Sequence, residues 1–215
     1  MRNVFKLFMT ACLLVSVAMT GVAQKDYSKS EGLLKYVDPY IGSGFHGHVF
    51  VGTSVPYGMV QVGPNNIHKG WDWCSGYHYS DSILIGFSQT HLNGTGCTDL
   101  GDIMIMPMNE IRTERGKQSD ISNGYASKYS HENEIARPEY YSLLVERYNI
   151  KAEMTATDRV GFHRYTYPVG KPASILVNLH EGNSYTKAKM CYIRKVDDYT
   201  IEGYPNNVAL IDSDE

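Results

Sequence analysis

The sequence predicts an all-β domain, an antiparallel β-sandwich, and three observations carry the prediction. Short apolar runs recur between Gly, Pro and Asn punctuation. Two later stretches alternate with a two-residue period, and no segment of fifteen residues shows a helical stripe. Many short strands with turns at this spacing fold as a sandwich or a barrel.

The chain opens with a basic region (Arg2, Lys6), an apolar stretch from Leu7 to Val22 and small residues at Gly21-Val22-Ala23. This is the pattern of a cleaved signal peptide over residues 1–23, so the protein is expected to be exported, to a periplasm or the cell exterior. Thr10, Ser16, Thr20 and Gly21 interrupt the apolar run and no basic stop-transfer cluster follows, which argues against a transmembrane anchor. Cys12 lies inside the apolar run, not after it as in a lipoprotein.

Residues 24–215 are read as one domain, since about 190 residues bury roughly 70% of their unfolded surface around a single core. Early strands are expected at Gly58 to Val62, Ile83 to Phe87 and Ile103 to Met108. Between Tyr140 and Tyr204 the alternation is clearest. Ala152, Met154 and Ala156 interleave with Glu153, Thr155 and Thr157, and Ile175, Val177 and Leu179 with Leu176, Asn178 and His180. Tyr148-Asn149, Asp158-Arg159, Gly170-Lys171-Pro172 and Asp197-Asp198 supply the turns between them. A last strand at Val208 to Ile211 runs into an acidic end, and that abrupt stop reads as truncation within the domain.

The formal net charge is -3, with Lys and Arg scattered along the chain, so there is no electrostatic footprint for nucleic acid. A small neutral or weakly charged ligand fits better. Three cysteines follow the leader (Cys74, Cys97, Cys191), an odd number without a CxxC pair; Cys74 and Cys97 are either bridged or two buried free thiols.

Four motifs carry candidate chemistry. Gly42 to Gly47 matches the GxGxxG dinucleotide fingerprint, but Val49-Phe50-Val51-Gly52 and Pro56 follow where a helix would have to open, so the glycines are read as a loop. His46 and His48, two apart, would face one side of an extended strand and could share a metal, yet no acidic partner is adjacent in sequence, which favours polar loop residues. Gly70-Trp71-Asp72-Trp73-Cys74-Ser75-Gly76-Tyr77-His78-Tyr79 holds both tryptophans. Sugars present apolar faces to aromatic rings and hydroxyls to carboxylates, so this triplet suits them; in an extended segment Trp71 and Trp73 would share a face. Thr90 to Asp99 packs polar side chains around Gly94 and Gly96 as a ligand loop or a plain hairpin connection, and Asn93-Gly94-Thr95 is a glycosylation sequon. Asp99 and Asp102 are the nearest carboxylates for acid–base work, but their spacing assigns them no role.

Val37-Asp38-Pro39-Tyr40-Ile41-Gly42, Val55 to Gln61, Gly70 to Tyr79, Ile85-Gly86-Phe87-Ser88 with His91, Gly94-Thr95-Gly96-Cys97 with Asp99 to Asp102, Ser130 to Glu134 and Arg159 to Tyr165 together resemble the N-terminal domain of glycoside hydrolase family 92. The resemblance implies an exo-acting bacterial α-mannosidase that removes terminal mannose from N-glycans or mannans with inversion and a bound calcium ion, α-1,2 bonds being the favoured linkage. It places the bond-breaking carboxylates and the calcium ligands mainly in a later (α/α)6 domain that this chain does not reach. No catalytic or metal-binding residue is therefore expected here, and the fragment alone is expected to be inactive. Trp71, Asp72, Trp73, Cys74, His91, Gly94, Thr95 and Asp99 are the implied substrate contacts, with mannose-containing glycans and the missing catalytic domain as partners. A stand-alone carbohydrate-binding sandwich is the alternative, and a surface domain without ligand a third.

Overall fold

A computed structural model describes residues 31–34, 36–180, 182 and 190–206. The expected signal peptide and the expected last strand at Val208 to Ile211 lie outside the described residues. The chain divides into residues 1–36 and residues 37–215. Within the first unit the described structure is a single helical turn, α1 (Glu31–Leu34), closed by Tyr36 donating its backbone N–H to the Leu33 carbonyl at 3.0 Å.

The second unit is built from antiparallel strands, as the alternation predicts. One sheet takes β1 (Thr53–Ser54), β2 (Gln61–Asn66), β3 (Ile83–Ser88), β4 (Met104–Met108) and β10 (Ser174–Asn178) in the order β1-β2-β3-β4-β10, with β5 (Ser127–Lys128) paired to β3. A second sheet is a plain meander of β6 (Glu134–Arg137), β7 (Tyr140–Val145), β8 (Ile150–Ala156) and β9 (Gly161–Thr166). β11 (Met190–Lys195) and β12 (Ile201–Asn206) form a separate two-stranded ribbon.

The two larger sheets pack face to face, β1, β2 and β4 against β8. Val62, Leu84, Phe87, Met104, Met106 and Met108 from one inner face meet Tyr141, Leu143, Val145, Ile150, Ala152 and Met154 from the other. Burial of each such large side chain contributes about 1.5–3 kcal/mol. In β8 the period is as expected: Ile150, Ala152, Met154 and Ala156 are buried while Lys151 and Thr155 are exposed. Glu153, on the outward side, is covered by its own partners. Arg164 donates Nε and Nη2 to it at 2.9 and 2.8 Å and Tyr140 its hydroxyl at 2.8 Å, with Lys151 Nζ at 3.1 Å. Those bonds, Arg164's foremost, hold its carboxyl down at about 2.

Two expected strands begin later than the apolar runs that suggested them. A turn from Val55 to Gly58, with Tyr57 at φ 62°, delays β2 to Gln61. Ile103, also left-handed at φ 54° and exposed, delays β4 to Met104. In β10 the sequence shows the alternation without its sense. Leu176 pairs with buried Met106 and packs on the core, whereas Ile175 is exposed. Directly opposed residues in an antiparallel pair point to the same face, so register with β4 decides.

At the edge of the second sheet a carboxyl is buried among aromatic rings. Glu134 accepts from Tyr141 at 2.6 Å and Tyr77 at 3.2 Å, and His131 Nδ1 lies 2.6 Å from its Oε2. The His131 ring stacks on Tyr79 with centroids 4.2 Å apart. Burial, then the charge of Glu134, pushes the hydroxyls of Tyr77 and Tyr141 well above their ordinary value.

Candidate functional site

The loop ahead of β1 is shaped by close backbone approach. A Cβ on Gly47 would lie 2.1 Å from the Gly42 carbonyl oxygen, and Gly42 itself has φ 82°, so both positions need glycine. The loop consists of turns and extended backbone, with no helix beneath the glycines, as the rejection of a dinucleotide site requires. It swings His46 outward and folds His48 inward at φ 54°.

Residues 71–73 form a 3-10 turn, not the extended segment in which the two tryptophans would share a face. Trp73 donates its backbone N–H to Gly70 at 3.0 Å and Cys74 to Trp71 at 3.1 Å. Tight winding sends the two indoles apart. Trp73 is part-buried, donates Nε1–H to the buried carboxylate of Asp81 at 2.9 Å, stacks on His78 and lies under the Lys69 ammonium. Lys69 also pairs with Asp81 at 2.8 Å. Trp71 is 54% exposed.

A second loop is tied to this turn at successive backbone positions. Gly94 N–H donates to the His48 carbonyl at 2.7 Å, the Cys74 thiol to the Thr95 carbonyl at 2.9 Å and the Trp71 indole N–H to the Gly96 carbonyl at 2.9 Å. No disulfide joins Cys74, Cys97 or Cys191; Cys74 is buried as one of two buried thiols would be, but Cys97 is exposed, and burial raises the Cys74 thiol above its ordinary value.

His46 and His48 do have an acidic partner, one that lies far along the sequence. His46 Nδ1 is 2.5 Å from Asp72 Oδ1 and His48 Nε2 is 3.7 Å from the same oxygen. The His46 hydrogen bond is the main cause that holds the Asp72 carboxyl below its usual range. His48 meets the Trp71 ring edge to face, with centroids 4.2 Å apart at 87°. The structure thus gathers Trp71, Asp72, Cys74, Gly94 and Thr95 around the two histidines. Sequence reading missed the histidine–aspartate contacts because the loop that makes them closes over more than twenty residues.

His91 and Asp99 make contacts of their own. His91 is buried, with Nδ1 2.7 Å from the Gln61 carbonyl and Nε2 2.7 Å from Asn65 Oδ1, and burial lowers it to about 4. Asp99 accepts from the N–H of its neighbour Leu100 at 2.9 Å. Trp71 thus stands half exposed beside a carboxylate held below its usual range. Among the described residues no three His, Cys, Asp or Glu side chains are grouped to hold a metal ion.

Residues 36–211 match the glycosyl hydrolase family 92 N-terminal domain. The chain belongs to that family. A family 92 α-mannosidase of Bacteroides thetaiotaomicron, solved with mannoimidazole, is 38% identical and superposes with a TM-score of 0.77 over 80% of this chain and 23% of that one. A second family 92 glycosyl hydrolase structure gives 27% identity and a TM-score of 0.65, covering 79% and 23%. A protein of Arthroderma benhamiae named an uncharacterized secreted glycosidase is 30% identical over 154 residues, 68% of this chain and 20% of its own length. The chain therefore spans about a fifth of the family 92 proteins it matches. No helix among the described residues is long and apolar enough to cross a membrane.

Proposed function

We propose that this family 92 domain forms the sugar-recognising wall of an exported, exo-acting α-mannosidase. In this reading Trp71 stacks on the apolar face of a terminal mannose, Asp72 accepts its hydroxyls, and the backbone of Gly94 and Thr95 borders the ring. Trp73, Cys74 and His91 hold the wall from behind. One observation carries the reading: Trp71 is the exposed indole, fixed in place beside an ionised carboxylate.

The substrates are N-glycans or mannans, with α-1,2 bonds as the favoured linkage. Inverting hydrolysis needs a carboxylic acid and a carboxylate about 6.5–9.5 Å apart with water between them. That pair, and the calcium ion that would grip the sugar, belong in this reading to the larger remainder of a full-length family protein. The described residues offer no group to hold the ion, so no step is assigned to it here.

Titration of the chain with α-mannobiose while tryptophan fluorescence is recorded tests the proposal. Wild type and Trp73→Phe should respond, and Trp71→Ala should not. No response in wild type, or an unchanged one in Trp71→Ala, sinks it.

A further inference from the structure

His48 presents a buried ring nitrogen that no hydrogen bond satisfies. Its side chain is 6% exposed, and Nε2 has no hydrogen-bond partner; Asp72 Oδ1 stands 3.7 Å from it, at ion-pair distance only. A buried polar atom left unpaired costs free energy, and native structures seldom keep one without a use. The ring itself is firmly placed: it lies against Trp71, and its backbone carbonyl takes the Gly94 N–H.

The other neighbour of Asp72 is held differently. His46 sits on Asp72 Oδ1 at 2.5 Å but its side chain is 73% exposed, and exposed pairs of this kind are worth little. A group that replaced His46 on Oδ1 would cost the fold little and would lie beside His48 Nε2. Two atoms 3.7 Å apart can both bond one oxygen about 2.8 Å from each, once His46 has moved off Oδ1. A hydroxyl suits both, since it accepts from Nε2–H and donates to the carboxylate in the same position.

We propose that His48 Nε2 and Asp72 Oδ1 form a donor–acceptor pair that grips one hydroxyl of the sugar, which displaces His46 from Asp72. The pair rests on the reading of Trp71 as the stacking surface and adds to it a single hydroxyl that the wall recognises. His48 binds the ligand directly, and His46 is the occupant of the empty state.

Calorimetric titration of the full chain with methyl α-mannoside and its 2-, 3-, 4- and 6-deoxy analogues tests the pair. In wild type one analogue should bind roughly tenfold more weakly than the parent sugar. In His48→Phe, which keeps a ring against Trp71, the parent should weaken about tenfold and that analogue should lose nothing further. His46→Ala should bind the parent as tightly as wild type or more so. Should His48→Phe fail to fold, Asp72→Asn carries the same cycle. A deoxy series flat in wild type, a deoxy penalty that persists in the variant, or a tenfold loss in His46→Ala overturns the pair while leaving stacking on Trp71 intact. Failure of wild type to bind, or unchanged binding by Trp71→Ala, overturns the reading beneath it.

Discussion

The indole N–H of Trp71 donates to the Gly96 carbonyl at 2.9 Å, so the polar edge of this ring is already spent. What remains for a ligand is the π face. Trp73 is the reverse case, with both its edge and its faces engaged by Asp81, His78 and Lys69.

The two tryptophans should therefore separate stability from recognition. Trp73→Ala leaves Asp81 buried without one donor and opens a void, and should cost about 2–4 kcal/mol. Trp71→Ala should cost under about 1 kcal/mol. Urea denaturation measures both, and equal losses would contradict the division.

Acid should weaken the fold through two histidines. Burial lowers His91 and His163 from 6.5 to about 4. Below pH 6.5 the unfolded chain takes up protons that the folded one refuses, so the stability each contributes is present above 6.5 and lost as pH falls from 6.5 to 4. Urea midpoints at pH 7, 5.5 and 4 should decline in wild type and decline less in a His91→Gln, His163→Gln double variant. Parallel curves would show that other groups govern the acid limb.

Much of this was legible in the chain, and the failures have physical causes. The alternation of Ala152, Met154 and Ala156 reports burial directly, because a strand against a core must be apolar every second residue. The sense of β10 was hidden, because it depends on register with Met106, a non-local fact. The tryptophan motif suggested an extended segment where the chain makes a 3-10 turn, since three residues do not distinguish the two. Asp72 as the partner of His46 needed the loop closure itself.

Thiol reactivity should follow burial. In native protein a maleimide should label Cys97 and Cys191 and spare Cys74, whose thiol is buried against the Thr95 carbonyl. Peptide mapping after labelling, with and without denaturant, checks this; native labelling of Cys74 would mean that the Gly94 loop opens freely.

Removing the carboxyl of Glu134 should be among the more damaging single changes in the second sheet. Glu134→Ala strands two tyrosine hydroxyls and His131 in a buried site and should cost about 3 kcal/mol or more. Glu134→Gln, which keeps two acceptor lone pairs, should recover part of it. Thermal melts of the two variants decide, and a silent Glu134→Ala would refute the assignment.

Glu134 also changes how this domain would endure outside a cell. Its one side chain ties Tyr77 and Tyr141 to the turn that carries His131, three residues before it, in the manner of a covalent staple. No disulfide joins the described cysteines, and this cross-link is made by hydrogen bonds alone. A thiol reductant therefore has no bond to cut at this junction.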